Sequence, residues 1–215
     1  GNKGWSYDEV LPYFKKTENS NLYGLENSSY HGHGGPMNTE FPQYRTKYAR
    51  AFIKAHKYLG YKKVDYNGES QMGTSYIQAT TKNGHRHSAA SAFIDPVLHK
   101  RPNLHILTEA RVTKILIDTK TRQAYGLEFV RFKKRNYVYV GKEIILSAGA
   151  FSSPQLLMLS GIGPKQELER IGVPLIQDLP VGRNMYDHLS FFGPTFTVNT
   201  TGISITSDAA LKPEA

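Results

Sequence analysis

The sequence predicts a mixed α/β fold, and three observations carry that prediction. The first is the apolar run Ile144-Ile145-Leu146, which ends in Ser147-Ala148-Gly149-Ala150 and leads to Leu156, Leu157 and Leu159. A run without polar alternation reads as a strand buried on both faces, as in a parallel sheet covered by helices. Small residues at its carboxyl end let a ligand approach the backbone closely. Ser153 is placed to cap the following helix, Pro154 suits its first position, and Gly161 ends it. Ligands of open α/β sheets bind beyond the carboxyl ends of strands, and helix starts favour anionic groups. The stretch therefore reads as a strand-turn-helix at the edge of a nucleotide or cofactor site. The second observation is the alternation over 125–130 and 137–140, which pairs as a hairpin or meander. The third is helical spacing over 43–60, where Tyr48, Phe52, Ala55 and Leu59 share a face and Gly60 terminates it.

Composition bounds the answer. The chain has 215 residues, enough for one large domain or two small ones with a real core. It is 39% hydrophobic and 12% aromatic, which is globular rather than disordered. No apolar run approaches the roughly 20 residues of a membrane span. The net charge of +9 comes from 27 basic and 18 acidic residues. Much of the excess lies within 111–142, above all at Arg131, Lys133, Lys134 and Arg135. That cluster falls where a hairpin turn belongs, which favours a solvated turn over a nucleic-acid surface. Without cysteine there are neither disulfides nor thiolate metal sites. Asn27-Ser28-Ser29 and Asn199-Thr200-Thr201 fit the glycosylation acceptor pattern and point to secretion.

The remaining elements follow in order. Ser6 and Glu9 form a capping box that starts a helix, and Pro12 should bend or shorten it. Tyr30-His31-Gly32-His33-Gly34-Gly35-Pro36 is an irregular glycine-rich loop whose histidines lack a third metal ligand of proper spacing. His56 lies beside the apolar face of its helix and reads as structural. Residues 80–88 form a turn, carrying the pair His85 and His87, that leads to a helix capped by Ser88 with Ala92 and Phe93 inward. Residues 104–117 read as two short strands around Thr108-Glu109-Ala110. Gly163-Pro164 opens a further helix with Leu168 and Ile171 on its apolar face. A short strand follows over 173–176, and 191–206 alternates as another strand.

Several of these segments carry a resemblance. The run from Gly149 to Gly163, Gly-Ala-Phe-Ser-Ser-Pro-Gln-Leu-Leu-Met-Leu-Ser-Gly-Ile-Gly, resembles the second signature of the glucose-methanol-choline (GMC) oxidoreductases. Gly4-Trp5-Ser6-Tyr7 with Leu11-Pro12-Tyr13-Phe14-Lys15-Lys16 is similar to the segment after the family's first signature. His31-Gly32 with Gly35-Pro36, the run Gly84, Arg86 and Ser88, and Pro180-Val181-Gly182-Arg183-Asn184-Met185-Tyr186-Asp187-His188 also resemble family segments, in family order. Met185 replaces the usual leucine, a change of similar volume. The texture of 30–36 and 146–164 is similar to the insect glucose-dehydrogenase-like branch.

The resemblance implies FAD-dependent oxidation of a CH–OH donor, a small alcohol or sugar, in a fold that joins a Rossmann-like FAD-binding domain to a substrate domain with an antiparallel sheet. It implies cofactor-binding roles for Val112 at the adenine, Ala148 and Gly149 at close backbone approach, and Val181 and Gly182 on the flavin side. It implies an FAD-binding layer from 1–29 and 80–188 and a substrate-side layer from 30–79 and 189–215. The family's phosphate loop, G-x-G-x-x-G, occurs nowhere in the chain, and its catalytic histidine belongs to a later region, so His188 is not that residue and no catalytic residue is assigned. The chain is accordingly expected to be an internal fragment with little activity alone. The alternative is a non-enzymatic interaction protein that keeps part of the fold.

Overall fold

The computed structural model describes residues 2–191 and 196–197. They divide into two compact units, with Leu104 closing the first and His105 opening the second. The class is mixed α/β, as the sequence predicts.

The first unit begins with α1 (Tyr7–Thr17). The Glu9 carboxylate accepts the Ser6 N–H at 3.1 Å, the Ser6 hydroxyl at 2.7 Å and the Gly4 N–H at 3.0 Å. This is the expected capping box, and it fixes the helix start. Pro12 sits inside the helix without ending it. The chain runs on into β1 (Glu18–Asn21), which pairs in parallel with β2 (Met37–Glu40). Helix α2 (Lys47–Tyr58) is capped by Thr46, whose hydroxyl accepts from the Ala49 N–H at 3.1 Å, so the helix starts later than position 43. His56 Nδ1 lies 2.9 Å from the Phe52 carbonyl within that helix. Strands β3 (Thr81–Lys82) and β4 (His85–Arg86) form a hairpin around Asn83-Gly84. After Ser88 the chain makes a single π-helical turn, Ala90–Ile94, rather than an α-helix; Ala92 is buried but Phe93 is not.

Polar groups hold this unit together. The His31 side chain is only 3% exposed, with Nδ1 2.9 Å from Glu18 Oε1 and Nε2 3.0 Å from Asp65 Oδ2. Each ring nitrogen thus has a carboxylate oxygen within hydrogen-bond distance. Glu18 also accepts from Thr39 Oγ1 and the Gly32 N–H, each at 2.9 Å. Buried Asn38 donates to the Thr81 carbonyl at 2.6 Å and takes the Asn19 side chain at 3.1 Å. Leu22, Phe41 and Ala92 are the buried apolar residues beside this network.

The second unit is built on a three-stranded antiparallel meander, β5 (Ala110–Ile117), β6 (Ala124–Arg131) and β7 (Lys134–Tyr139). The β6–β7 hairpin is the one the alternation predicts. Only one strand forms within 104–117; Leu104, Ile106 and Leu107 stay exposed and outside any ladder. Helix α3 (Gly149–Leu159) packs on β5, and β8 (Ile162–Gly163) pairs in parallel with β9 (Gln177–Asp178). The strand expected over 173–176 therefore forms slightly later. Gly161 turns the chain between α3 and β8 at φ 92°, and a Cβ there would lie 2.7 Å from the Pro174 carbonyl, so only glycine fits. Helix α4 (Lys165–Arg170) buries Leu168 completely, while Ile171 remains exposed.

Two expectations around α3 fail. The helix begins at Gly149, with Ala148 as its N-cap, so Pro154 lies inside it rather than first. Ser153 still serves the helix start, because its hydroxyl accepts the Ala148 N–H at 3.1 Å. The run Ile144-Ile145-Leu146 belongs to no sheet, and Ile145 is 79% exposed. A strand buried on both faces needs strands beside it, and none of the described strands pairs with this run. The strand expected over 191–206 falls almost wholly outside the described residues.

Candidate functional site

The second unit contains a cavity of about 540 Å³ between the free edge of β5, the segment 144–148 and the first turns of α3. Each wall has a local cause. Strand β5 is the outer strand of its sheet, so one edge faces no other described strand. Its ladder with β6 is interrupted between Val112 and Lys114, which leaves Thr113 without a partner in the register. Such bulges redirect backbone and side chains beside binding sites. Thr113 Oγ1 donates to Glu128 Oε1 at 2.8 Å, which pins the bulge. Farther along the same edge, the Ile115 N–H is taken by Ser160 Oγ at 2.8 Å, and that hydroxyl donates to the Leu156 carbonyl at 2.6 Å. This joint fixes the end of α3 to β5, so the cavity walls meet at a buried hinge of Ile115, Leu156 and Ser160.

The opposite wall is set by Ala148 and Gly149. Gly149 has φ 88°, a left-handed conformation that reverses the chain into the helix. A Cβ added there would meet nothing within 4 Å, so the demand for glycine comes from the backbone angle and not from crowding. The first N–H groups of α3 have no intrahelical partners and carry the positive end of the helix dipole.

The chemistry this arrangement offers is binding. Ile144, Ile145, Leu146, Leu156 and Leu159 give an apolar lining, and Arg111 is its charged member. Among the described residues, no carboxylate, histidine or lysine lines the cavity, so its own residues supply no general acid or base. A flat, mostly apolar ring with a polar edge matches an apolar slot beside an unpaired strand edge. The carboxylates with clearly lowered pKa lie elsewhere: Glu9, Glu26, Glu40 and Asp118, each held down mainly by hydrogen bonds donated to it.

Of the residues expected at a cofactor, Val112 and Ala148 both line the cavity, and Gly149 adjoins it. Val181 and Gly182 do not line it. They form a turn in which Gly182 lies near α3, a Cβ there falling 3.8 Å from Met158 Cε and 3.9 Å from Pro154 Cβ. The cavity adds Thr113, Ser152 and Gln155. Ser152 and Gln155 are an i, i+3 polar pair on a mostly apolar helix, a signal present in the sequence; the bulge at Thr113 leaves no such trace. The paired histidines are engaged elsewhere: His31 between two carboxylates, His33 Nδ1 at 3.2 Å from the Ser20 carbonyl, and His87 Nδ1 accepting the Asn38 N–H at 3.1 Å. Asp187 Oδ1 takes the His188 backbone N–H at 2.7 Å, and both residues are exposed.

Residues 1–190 match the family model described as GMC oxidoreductase. Glucose dehydrogenase [FAD, quinone] of Drosophila melanogaster is 41% identical over 195 residues, which is 89% of this chain and 31% of that protein. Oxygen-dependent choline dehydrogenase of Sinorhizobium medicae is 41% identical over 194 residues, 89% of this chain and 34% of the relative. The solved structure of an FAD-dependent oxidoreductase from Chaetomium thermophilum superposes with a TM-score of 0.75 at 34% identity, covering 84% of this chain and 33% of that one. The chain thus spans about a third of the length of the relatives it matches. By the match along nearly its whole described length, this chain belongs to the GMC oxidoreductase family.

Proposed function

We propose that this chain forms the adenine-side cradle for FAD in an oxidoreductase that oxidises the CH–OH group of a small alcohol or sugar. The observation that carries the proposal is the meeting of Val112 and Ala148, far apart in sequence, on one cavity beside the start of α3. The residues fit the group. The backbone of Val112 and Thr113 lies at a bulge on an edge strand, where N–H and C=O groups can read an adenine edge whatever the side chain. Ala148 and Gly149 carry no bulk that would hold a ring away from the backbone, and the start of α3 favours an anionic group. When bound, FAD would accept the hydride from the alcohol carbon.

The residues that line the cavity bind, orient and exclude water, and none of them is a carboxylate, histidine or lysine that would move a proton. Ile144, Leu146 and Leu156 keep water from an apolar ring, and the Ser160 joint holds the two walls at fixed separation. The names of the relatives support a sugar or an amino alcohol such as choline as the donor class. We also assign 1–29 and 80–188 to the cofactor layer and 30–79 with 189–215 to the substrate side. Val181 and Gly182 belong to the flavin side in this reading. Asn27, exposed on its turn, supports a secreted protein.

The test is anaerobic. Protein expressed from the reading frame that carries these residues, with any flanking sequence it encodes, should purify yellow and bleach on adding glucose, choline or a primary alcohol. Colourless, folded protein that takes up no FAD would overturn the proposal and favour an interaction role.

A further inference from the structure

The described residues contain two tight hairpins of the same geometry, and they differ in a way the fold does not explain. Between β3 and β4 the turn is Asn83-Gly84, at φ 53° and 78°. Between β6 and β7 it is Phe132-Lys133, at φ 48° and 61°, closed by the pair Arg131 and Lys134. Two consecutive left-handed residues are the signature of the turn whose twist suits a hairpin, and Asn-Gly is the pair it selects. A bulky residue at positive φ is an outlier, because its Cβ crowds the following carbonyl. Burial gives Phe132 no compensation, since it is 67% exposed. Phe132 thus joins a strained backbone to an exposed ring, and no packing among the described residues accounts for the strain.

The surroundings of the ring are cationic. The Arg131 guanidinium lies 4.6 Å from the Phe132 ring centre. Lys133 and Lys134 are exposed, and Arg135 is 66% exposed although it reaches Glu128 at 3.5 Å. The apex is thus one apolar ring with four cations about it, of which Arg135 alone pairs with an acid, Glu128, among the described residues. The shape is a convex tip. A nucleic acid is held in a groove or on a platform of several stacking rings, and neither is present at this tip. A surface with anionic groups outside and an apolar layer just beneath complements it directly.

We propose that the β6–β7 tip is an anchor for an anionic lipid surface, with Phe132 entering the headgroup boundary and Arg131, Lys133 and Lys134 meeting the lipid charges. The proposal is independent of the cofactor reading. Attraction by these cations is screened by salt, so binding weakens as ionic strength rises. The ring supplies the part that salt does not remove.

The experiment is cosedimentation of the full chain with vesicles of phosphatidylcholine, with and without phosphatidylserine. The chain should bind the phosphatidylserine vesicles and stay in the supernatant with phosphatidylcholine alone. Lys133→Ala and Lys134→Ala should each lower the partition coefficient about fivefold. Phe132→Asn should lower it about tenfold. That variant keeps the hairpin, because asparagine accepts positive φ, and it should melt at a higher temperature than the parent. A loss of binding with a gain of stability cannot be misfolding. Absence of binding to phosphatidylserine vesicles, equal binding to both vesicle types, or a Phe132→Asn variant that binds as well as the parent would each overturn the proposal. So would capture of single-stranded DNA by a chain that ignores both vesicles.

Discussion

The two units are held by different forces. In the first, β1, the glycine-rich loop and the Asp65 turn converge on His31, and the buried residues are as much polar as apolar. In the second, Ile115, Leu156 and Leu168 are buried apolar side chains, and among the described residues a single buried hydroxyl, Ser160, is the polar link between sheet and helix. The difference has consequences. An apolar core loses stability in proportion to the volume removed and tolerates similar shapes. A buried polar network loses more when one member is removed, because the remaining groups are left without partners.

The sharpest way to break this comparison is His31→Leu. It leaves Glu18 and Asp65 facing an apolar side chain and should cost about 4 kcal/mol, read as a fall in the urea midpoint. A cost below about 1 kcal/mol would mean that the network does not hold the first unit. Leu168→Ala comes next. It empties a completely buried site in the second unit and should cost about 3 kcal/mol, whereas Leu168→Met should cost under about 1.5 kcal/mol. If both variants lose equally, the second unit is not an apolar core of the ordinary kind. Ser160→Ala strands the Ile115 N–H and should cost about 2 kcal/mol. Amide exchange sharpens this case, since protection should fall at Ile115 while the far strand β7 keeps its own.

The smallest effect is at the start of α1. Glu9 is held below its ordinary pKa of 4.5, first by the Ser6 hydroxyl and then by the Ser6 N–H. A carboxylate with a lowered folded-state pKa adds stability above its unfolded value and loses it as pH falls through the folded one. The capping box should therefore open progressively below about pH 4.5, seen as faster exchange of the Ser6 amide, and Glu9→Gln should flatten that dependence.

The same contrast explains what could be read in the sequence. Strands β6 and β7 are legible because each finds its partner next in sequence, so alternation and turn position suffice. The α1 start is legible because Ser6 and Glu9 sit within one turn. His31 is not, since Asp65 lies far along the chain and no local period links them. The run Ile144-Ile145-Leu146 announces burial but not what buries it, and no described strand lies against it. Pro154 misled for a related reason: a proline marks a helix start only where the preceding turn is not itself helical, and here Gly149 reverses the chain earlier. In the candidate site, the small residues Ala148 and Gly149 were readable from the residues themselves. Val112 came only from family resemblance, because a valine in a strand carries no mark of its role. The bulge at Thr113 is set by pairing between strands, and single-sequence patterns do not record it.

The central claim is that the cavity between β5 and the start of α3 receives FAD through backbone and small residues. The direct measurement is the FAD-to-protein ratio, by absorbance after purification, of protein from the intact reading frame and two variants. Val112→Ile keeps the backbone and should keep the parental flavin content. Ala148→Phe fills the slot and should lose at least about tenfold in FAD affinity while retaining the parental unfolding midpoint within about 1 kcal/mol, since Ala148 is exposed to the cavity and not packed in the core. Full flavin content in the Ala148→Phe variant would contradict the account.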